Sequence, residues 1–162
     1  MQGSKIMADY SIRKAALPEI AVAYSIIEEY YEAAQVVARD SKEQFTTTYF
    51  GERSGIWLAH LQDNGTQKIV GCVALHEWNP AERSGEIKRM YVQQAYRGLG
   101  IAQALLDTLE SFARNVGYKW LYLDSAPGMD AAVRLYQKND YDPCPRYNEN
   151  PQAVIFLCKG LR

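Results

Sequence analysis

Cysteine is scarce: only Cys72, Cys144 and Cys158 occur in 162 residues. Three scattered thiols are too few for a disulfide framework or a zinc site, so reduced, mostly packed cysteines, no metal and a cytoplasmic location are expected. Long apolar runs are absent too, none approaching the ~18 residues that a membrane span requires. The start, Met1 to Asp9, lacks a signal-peptide core. Residues 1–6 read as an appended or disordered lead-in before a natural start at Met7. Charge of one sign is also lacking, with 18 Lys and Arg against 19 Asp and Glu. A net charge of −1 gives no global pull toward nucleic acid or anionic membrane, and no basic stripe interleaved with aromatics appears. Repeats and low-complexity linkers are missing, so residues 1–162 are expected to form one domain.

What is there is a sequence of periodic segments. Ile6 to Lys14 alternates around Tyr10 and Ile12 as a first strand. Pro18 opens a helix in which Ile20, Tyr24, Ile27, Tyr31 and Ala34 recur as one buried stripe. Ser41 with Gln44 forms a capping box before a short helix through Phe45 and Tyr49. Strands follow at 55–61, 68–78 and 85–92, the first pair joined by a tight turn at Asp63-Asn64-Gly65. The spacing predicts a helix over 98–116, with Ile101, Leu105, Leu109, Phe112 and Val116 on its apolar face and Gly117 at its end. A strand over 120–125, a helix over 130–139 and a last strand over 153–159 complete the chain. This order predicts an α/β (α+β) domain, a mixed sheet with helices against it.

The chemistry concentrates in Met90-Tyr91-Val92-Gln93-Gln94-Ala95-Tyr96-Arg97-Gly98-Leu99-Gly100-Ile101-Ala102. A strand ends, a short turn follows, and a helix begins within Gly-x-Gly. Glycines let the backbone bring successive N–H groups to a ligand, and the first helical N–H groups have no intrahelical partners. They sit at the positive end of the helix dipole, with Arg97 beside them, which suits a pyrophosphate. The third glycine of a dinucleotide fingerprint is missing, and so is the Gly-Lys-Ser/Thr of a nucleoside-triphosphate loop. Two glycines before a helix also suit a plain tight turn.

The run Arg97-x-x-Gly100-x-Ala102 after Met90-Tyr91-Val92 resembles the acetyl-CoA signature of the GCN5-related N-acetyltransferases (GNATs). Leu105-Leu106, the strand Leu121-Tyr122-Leu123-Asp124 and the segment Ala132-Val133-Arg134-Leu135-Tyr136 through Tyr141 continue it in register, and Ile69 to Ala74 is similar to the family's third strand. The resemblance implies a mostly antiparallel central sheet, splayed at the cofactor site. It also implies an acetyl-CoA-dependent transfer of an acetyl group to an amine. Met90, Tyr91, Val92, Arg97, Gly98, Leu99, Gly100, Ile101 and Ala102 would hold the cofactor, the backbones of Met90 and Val92 aligning its pantetheine arm. Two departures stand out. Met129 replaces a frequent Asn, which removes one side-chain hydrogen bond, and Asp140 replaces a usual Gly.

By the same resemblance Tyr136 is the acid that protonates the departing sulfur, and Glu86 is the preferred base. Glu86 shares a strand face with Lys88, a cation that lowers its pKa and weakens it as a base. Asp124 is the next candidate and His76 a further one. The acceptor site is expected between the first two helices and the loop Pro145 to Pro151, with Tyr31, Tyr147 and Asp124 as substrate contacts. Glu28, Glu29 and Glu32 form an acidic side that would attract an amine or simply face solvent. The expected partner is an amine-bearing acceptor, a small molecule or an exposed peptide amine, with neither nucleic acid nor membrane. Pairing of two copies through 153–157 is open by analogy. Two alternatives stay open: a non-catalytic acyl-CoA sensor, or a transferase with a longer acyl donor or a hydroxyl acceptor.

Overall fold

The computed structural model describes residues 9–162. Expectations about residues 1–6, and the proposed beginning of the first strand at Ile6, lie outside the described residues.

Seven strands form one sheet in the order β1-β2-β3-β4-β5-β7-β6. They are β1 (Tyr10–Lys14), β2 (Gly55–Asp63), β3 (Thr66–Asn79), β4 (Ser84–Val92), β5 (Trp120–Ser125), β6 (Asp142–Pro143) and β7 (Ile155–Gly160). All neighbours run antiparallel except β4 and β5, which are parallel. Among the described residues four helices flank the sheet: α1 (Ile20–Ala33), α2 (Lys42–Tyr49), α3 (Ile101–Asn115) and α4 (Asp130–Lys138). The segment 153–157, considered above for self-pairing, belongs largely to β7, which has β5 on one edge and the two-residue β6 on the other.

Successive residues of a strand face opposite sides of a sheet, and β2 uses both. Ile56 and Leu58 join Ala23, Ile27, Phe45 and Tyr49 of α1 and α2 in one core cluster. Trp57, Ala59 and Leu61 join Leu105, Leu106 and Leu109 of α3 in the other. Each fully buried leucine contributes roughly 1.5–3 kcal/mol, so this two-sided burial holds the centre of the sheet rigid. The hairpin between β2 and β3 turns on Asn64 and Gly65, both with positive φ (49° and 80°). That is the type I′ geometry favoured by Asn-Gly.

Several boundaries differ from the periodic reading. Pro18 sits in a single 3-10 turn, Leu17–Glu19, and α1 starts after it. The buried face of α1 is Ala23, Ile26, Ile27 and Tyr31, while Ile20 and Tyr24 are only partly covered. Helix α3 begins at Ile101 rather than at residue 98, because Gly98 and Gly100 have φ values of 81° and 83°. A left-handed backbone cannot continue a right-handed helix. The capping box of α2 forms as expected, Ser41 Oγ accepting from Gln44 N at 3.1 Å and Gln44 Oε1 from Ser41 N at 2.8 Å.

Candidate active site

Strands β4 and β5 pair only at Ser84–Trp120, Gly85–Leu121 and Glu86–Tyr122. Beyond Glu86 they separate, although β4 continues to Val92 and β5 to Ser125. A bulge widens the change of direction: the register with β3 passes from Tyr91↔Cys72 to Lys88↔Ala74, so Arg89 and Met90 lie opposite Val73 alone. Arg89 takes a left-handed conformation, φ 60°, to make it.

Two cavities open along this split. One, of about 650 Å³, is bounded by Val92, Arg97, Gly98, Gly100, Ile101 and Ala102. The other, of about 560 Å³, is bounded by Glu86, Lys88, Arg89, Asp124, Tyr136 and Asn148 among others. Tyr30, Ala34, Met90, Met129 and Ala132 line both, so the two cavities meet.

In the first cavity the glycines form a cradle. A Cβ added at Gly98 would meet nothing within 4 Å, and one at Gly100 would come 3.5 Å from Tyr10 Oη. Arg97 Nε donates to Val92 O at 2.9 Å and ties the loop to the strand end. The first N–H groups of α3 face this loop without intrahelical partners. A flexible diphosphate-bearing arm fits a cavity built this way. Tyr91 and Met90 line it with Val92, whereas Leu99 is exposed and does not.

The second cavity has a hydrogen-bonded floor. Glu86, 1% exposed, accepts from Tyr147 Oη at 2.6 Å, from Asn148 Nδ2 at 3.1 Å, and faces His76 Nε2 at 2.8 Å. Lys88 Nζ lies 3.6 Å from Glu86 Oε1 and 3.8 Å from Asp124 Oδ2. Burial alone would raise the Glu86 pKa. The hydrogen bond from His76, the charge of Lys88 and the hydrogen bond from Tyr147 together outweigh it and hold the carboxyl below its ordinary value. His76 Nδ1 also lies 2.9 Å from Glu77 O. Both ring nitrogens therefore lie within hydrogen-bond distance of an oxygen, which fixes the ring against the floor of the cavity.

Asp124 is held through one oxygen. Its Oδ2 accepts from Asn148 Nδ2 at 2.6 Å and Asn150 Nδ2 at 3.2 Å, while Oδ1 has no partner among the described residues. Tyr136 lines the same cavity and meets Tyr141 edge to face, with centroids 5.3 Å apart. Its hydroxyl has no protein partner among the described residues, and burial raises its pKa, so it remains protonated.

The expected site residues thus separate into three groups. Glu86, Asp124, Tyr136, Met90 and the glycine loop border the cavities. Tyr147 reaches the site only through its hydroxyl, its ring wedged among Trp78, Tyr122 and Phe156. Tyr31 is buried, its hydroxyl accepting from Asp40 N at 3.1 Å, and it borders neither cavity. Its neighbour Tyr30 lines both. Glu28, Glu29 and Glu32 are exposed and away from the lining, Glu29 accepting from Gln93 and Glu32 pairing with Arg39. Arg89 and Tyr49 line the site without having been singled out as contacts, and Asn148 does so from the loop expected there. A bulge built on arginine leaves no glycine to mark it.

Solved structures of similar architecture carry the same kind of fold. An acetyltransferase of the GNAT family from Staphylococcus aureus superposes with a TM-score of 0.78 at 19% identity, covering 95% of this chain and 100% of that one. Arabidopsis thaliana NAA60, solved in complex with a bisubstrate analogue, gives a TM-score of 0.73 at 17% identity, covering 95% and 100%. The fold class is therefore that of the GNAT structures. The sequence profile of the Acetyltransferase (GNAT) family matches residues 20–141, and the chain belongs to this family. An uncharacterized N-acetyltransferase of Schizosaccharomyces pombe is 31% identical over 109 residues, 67% of this chain and 65% of that protein. N-acetyltransferase 8 of Homo sapiens is 35% identical over 96 residues, 57% of this chain and 40% of that protein. The chain thus spans less than two thirds of the length of these curated relatives.

Proposed function

We propose that the protein is an acetyl-CoA-dependent N-acetyltransferase acting on an amine of a small molecule or an exposed peptide amine. The observation that carries this reading is the meeting of two cavities at the split between β4 and β5, one beneath the glycine loop and one lined by carboxylates. A donor arm and an acceptor brought in from opposite sides would meet beside Met90, Met129 and Ala132. A protein of similar fold solved with a bisubstrate analogue supports the same division.

Bound acetyl-CoA would supply an activated acetyl thioester. The loop from Arg97 to Ala102 would hold its phosphates through backbone N–H groups, and the main chain of Met90 and Val92 at the split would align the arm. The free Oδ1 of Asp124 receives the acceptor's ammonium group and, directly or through water, its proton. Glu86, with its lowered pKa, is a weak proton acceptor; its role is to fix His76, Tyr147 and Asn148 around the cavity. Tyr136 keeps its phenolic proton and is the donor available to a leaving thiolate. The free thiols of Cys72, Cys144 and Cys158 fit a reducing, cytoplasmic setting.

Calorimetry with acetyl-CoA and with free CoA tests the donor half, and thiol release across an amine panel tests transfer. Micromolar binding of both, with thiol release on adding an amine, is expected. Absence of binding to either would withdraw the reading.

A further inference from the structure

Arg89 is buried in the acceptor cavity without enough partners. Its side chain is 12% exposed, and its one ion pair among the described residues, Nη2 to Asp40 Oδ2, is 3.4 Å long. Charge-assisted N–H···O contacts of full strength lie nearer 2.7–2.9 Å. Its Nε is enclosed and has no hydrogen-bond partner among the described residues. The remaining support is aromatic: the guanidinium carbon lies 4.9 Å from the Tyr31 ring centroid and 5.8 Å from that of Tyr30. A guanidinium carries five N–H donors, and burying it with Nε unused and Nη2 held only at 3.4 Å is unfavourable unless an anion arrives.

The neighbouring cation is differently placed. Lys88 sits between Glu86 and Asp124 and is matched by both. Parallel pairing of Glu86 with Tyr122 sets Lys88 and Asp124, two residues further on, across the split from each other. The bulge then brings Arg89, the next residue, to the same cavity at the cost of a left-handed backbone. One wall therefore offers a carboxylate oxygen without a partner, and the other a cation short of acceptors.

We propose that the acceptor is an amino acid or a close analogue, its amine meeting Asp124 and its carboxylate meeting Arg89. This rests on the acetyltransferase reading above and narrows it to amines that carry a nearby carboxylate. An amine without a carboxylate would fill the cavity while leaving Arg89 unmatched, which selects against it. Arg89 is in this role a specificity-determining residue.

The test uses matched pairs, the common α-amino acids and their carboxamides, titrated into the full chain. Tryptophan fluorescence is the readout, since Trp78 lines the acceptor cavity. Thiol release from acetyl-CoA is measured in parallel. At least one acid should bind tenfold or more tightly than its amide and be acetylated with a correspondingly lower KM. Arg89→Gln should erase that preference, and Arg89→Lys should keep part of it. Amides binding as well as acids, or no acid binding at millimolar concentration, would overturn the proposal from the wild-type protein alone. A preference that survives Arg89→Gln would also overturn it. Calorimetry with CoA is scored separately: failure there would reject the transferase reading, whereas lack of an acid preference with CoA binding intact would reject only the role of Arg89.

Discussion

Tyr147 Oη donates to Glu86 Oε2 at 2.6 Å, linking residues 61 apart in the chain. The contact closes the loop before β7 onto the floor of the acceptor cavity, and Asn148 extends it to Asp124. A hydrogen bond to a buried carboxylate contributes more than a neutral one, and losing it leaves an acceptor oxygen short of a donor. Tyr147→Phe should therefore cost about 1–3 kcal/mol of stability and loosen the loop. Urea unfolding and acceptor KM should both register the change, with acetyl-CoA affinity unaltered. An unchanged unfolding midpoint and KM would mean that the loop is held by other contacts.

The lowered pKa of Glu86 gives a signed pH dependence. Its folded pKa is below its unfolded one, so its stabilising contribution is fully present above the ordinary carboxylate range, about 4.3. It is lost as pH falls through the folded value. The difference in unfolding free energy between wild type and Glu86→Gln should be constant above about pH 5 and shrink at lower pH. Urea titrations from pH 7 to pH 3 measure it. A difference that grows on acidification would indicate a raised pKa and restore Glu86 as a candidate base.

The sequence made some features legible and hid others for physical reasons. Alternation in β2 and the 3.6-residue period of α3 survive in one-dimensional text, because each depends on a single element facing a core. The glycine loop is visible because left-handed backbone favours glycine, as at Gly98 and Gly100. Asp140, where the family usually has glycine, does take a left-handed φ of 70°. The acceptor cavity was less legible, since it is assembled from segments remote in sequence, from Tyr30 to Gln152. Tyr30 and Tyr31 are neighbours but point about 100° apart around α1, so one meets the cavity and the other the core. Arg89 was hidden because its bulge depends on the register between β3 and β4.

Gly100 tests the donor cavity. Its φ of 83° strains any side chain, and a Cβ would sit 3.5 Å from Tyr10 Oη. Gly100→Glu adds a negative charge where phosphates are expected, in addition to strain of about 1–2 kcal/mol. Acetyl-CoA affinity should fall at least a hundredfold by calorimetry, while Trp78-region fluorescence changes with acceptor remain. Gly100→Ala separates the two causes: it should share the loss of stability but lose much less affinity. Unchanged affinity in Gly100→Glu would show that the phosphates bind elsewhere.

Tyr136 tests the chemistry without disturbing the scaffold. Its ring packs on Tyr141, but its hydroxyl bonds to nothing among the described residues. Tyr136→Phe keeps the ring and the burial, so unfolding free energy should shift by less than about 0.5 kcal/mol. If the hydroxyl donates to the departing thiolate, turnover should drop tenfold or more, because general acid catalysis is commonly worth 10²–10⁴-fold. KM for acetyl-CoA should hardly move, since the contact strengthens only as negative charge develops on sulfur. The loss should be smaller with acyl donors whose leaving thiol has a lower pKa, which need less protonation. Equal turnover in both proteins would leave Tyr136 a core residue, and an equal loss for every leaving group would assign it to positioning instead.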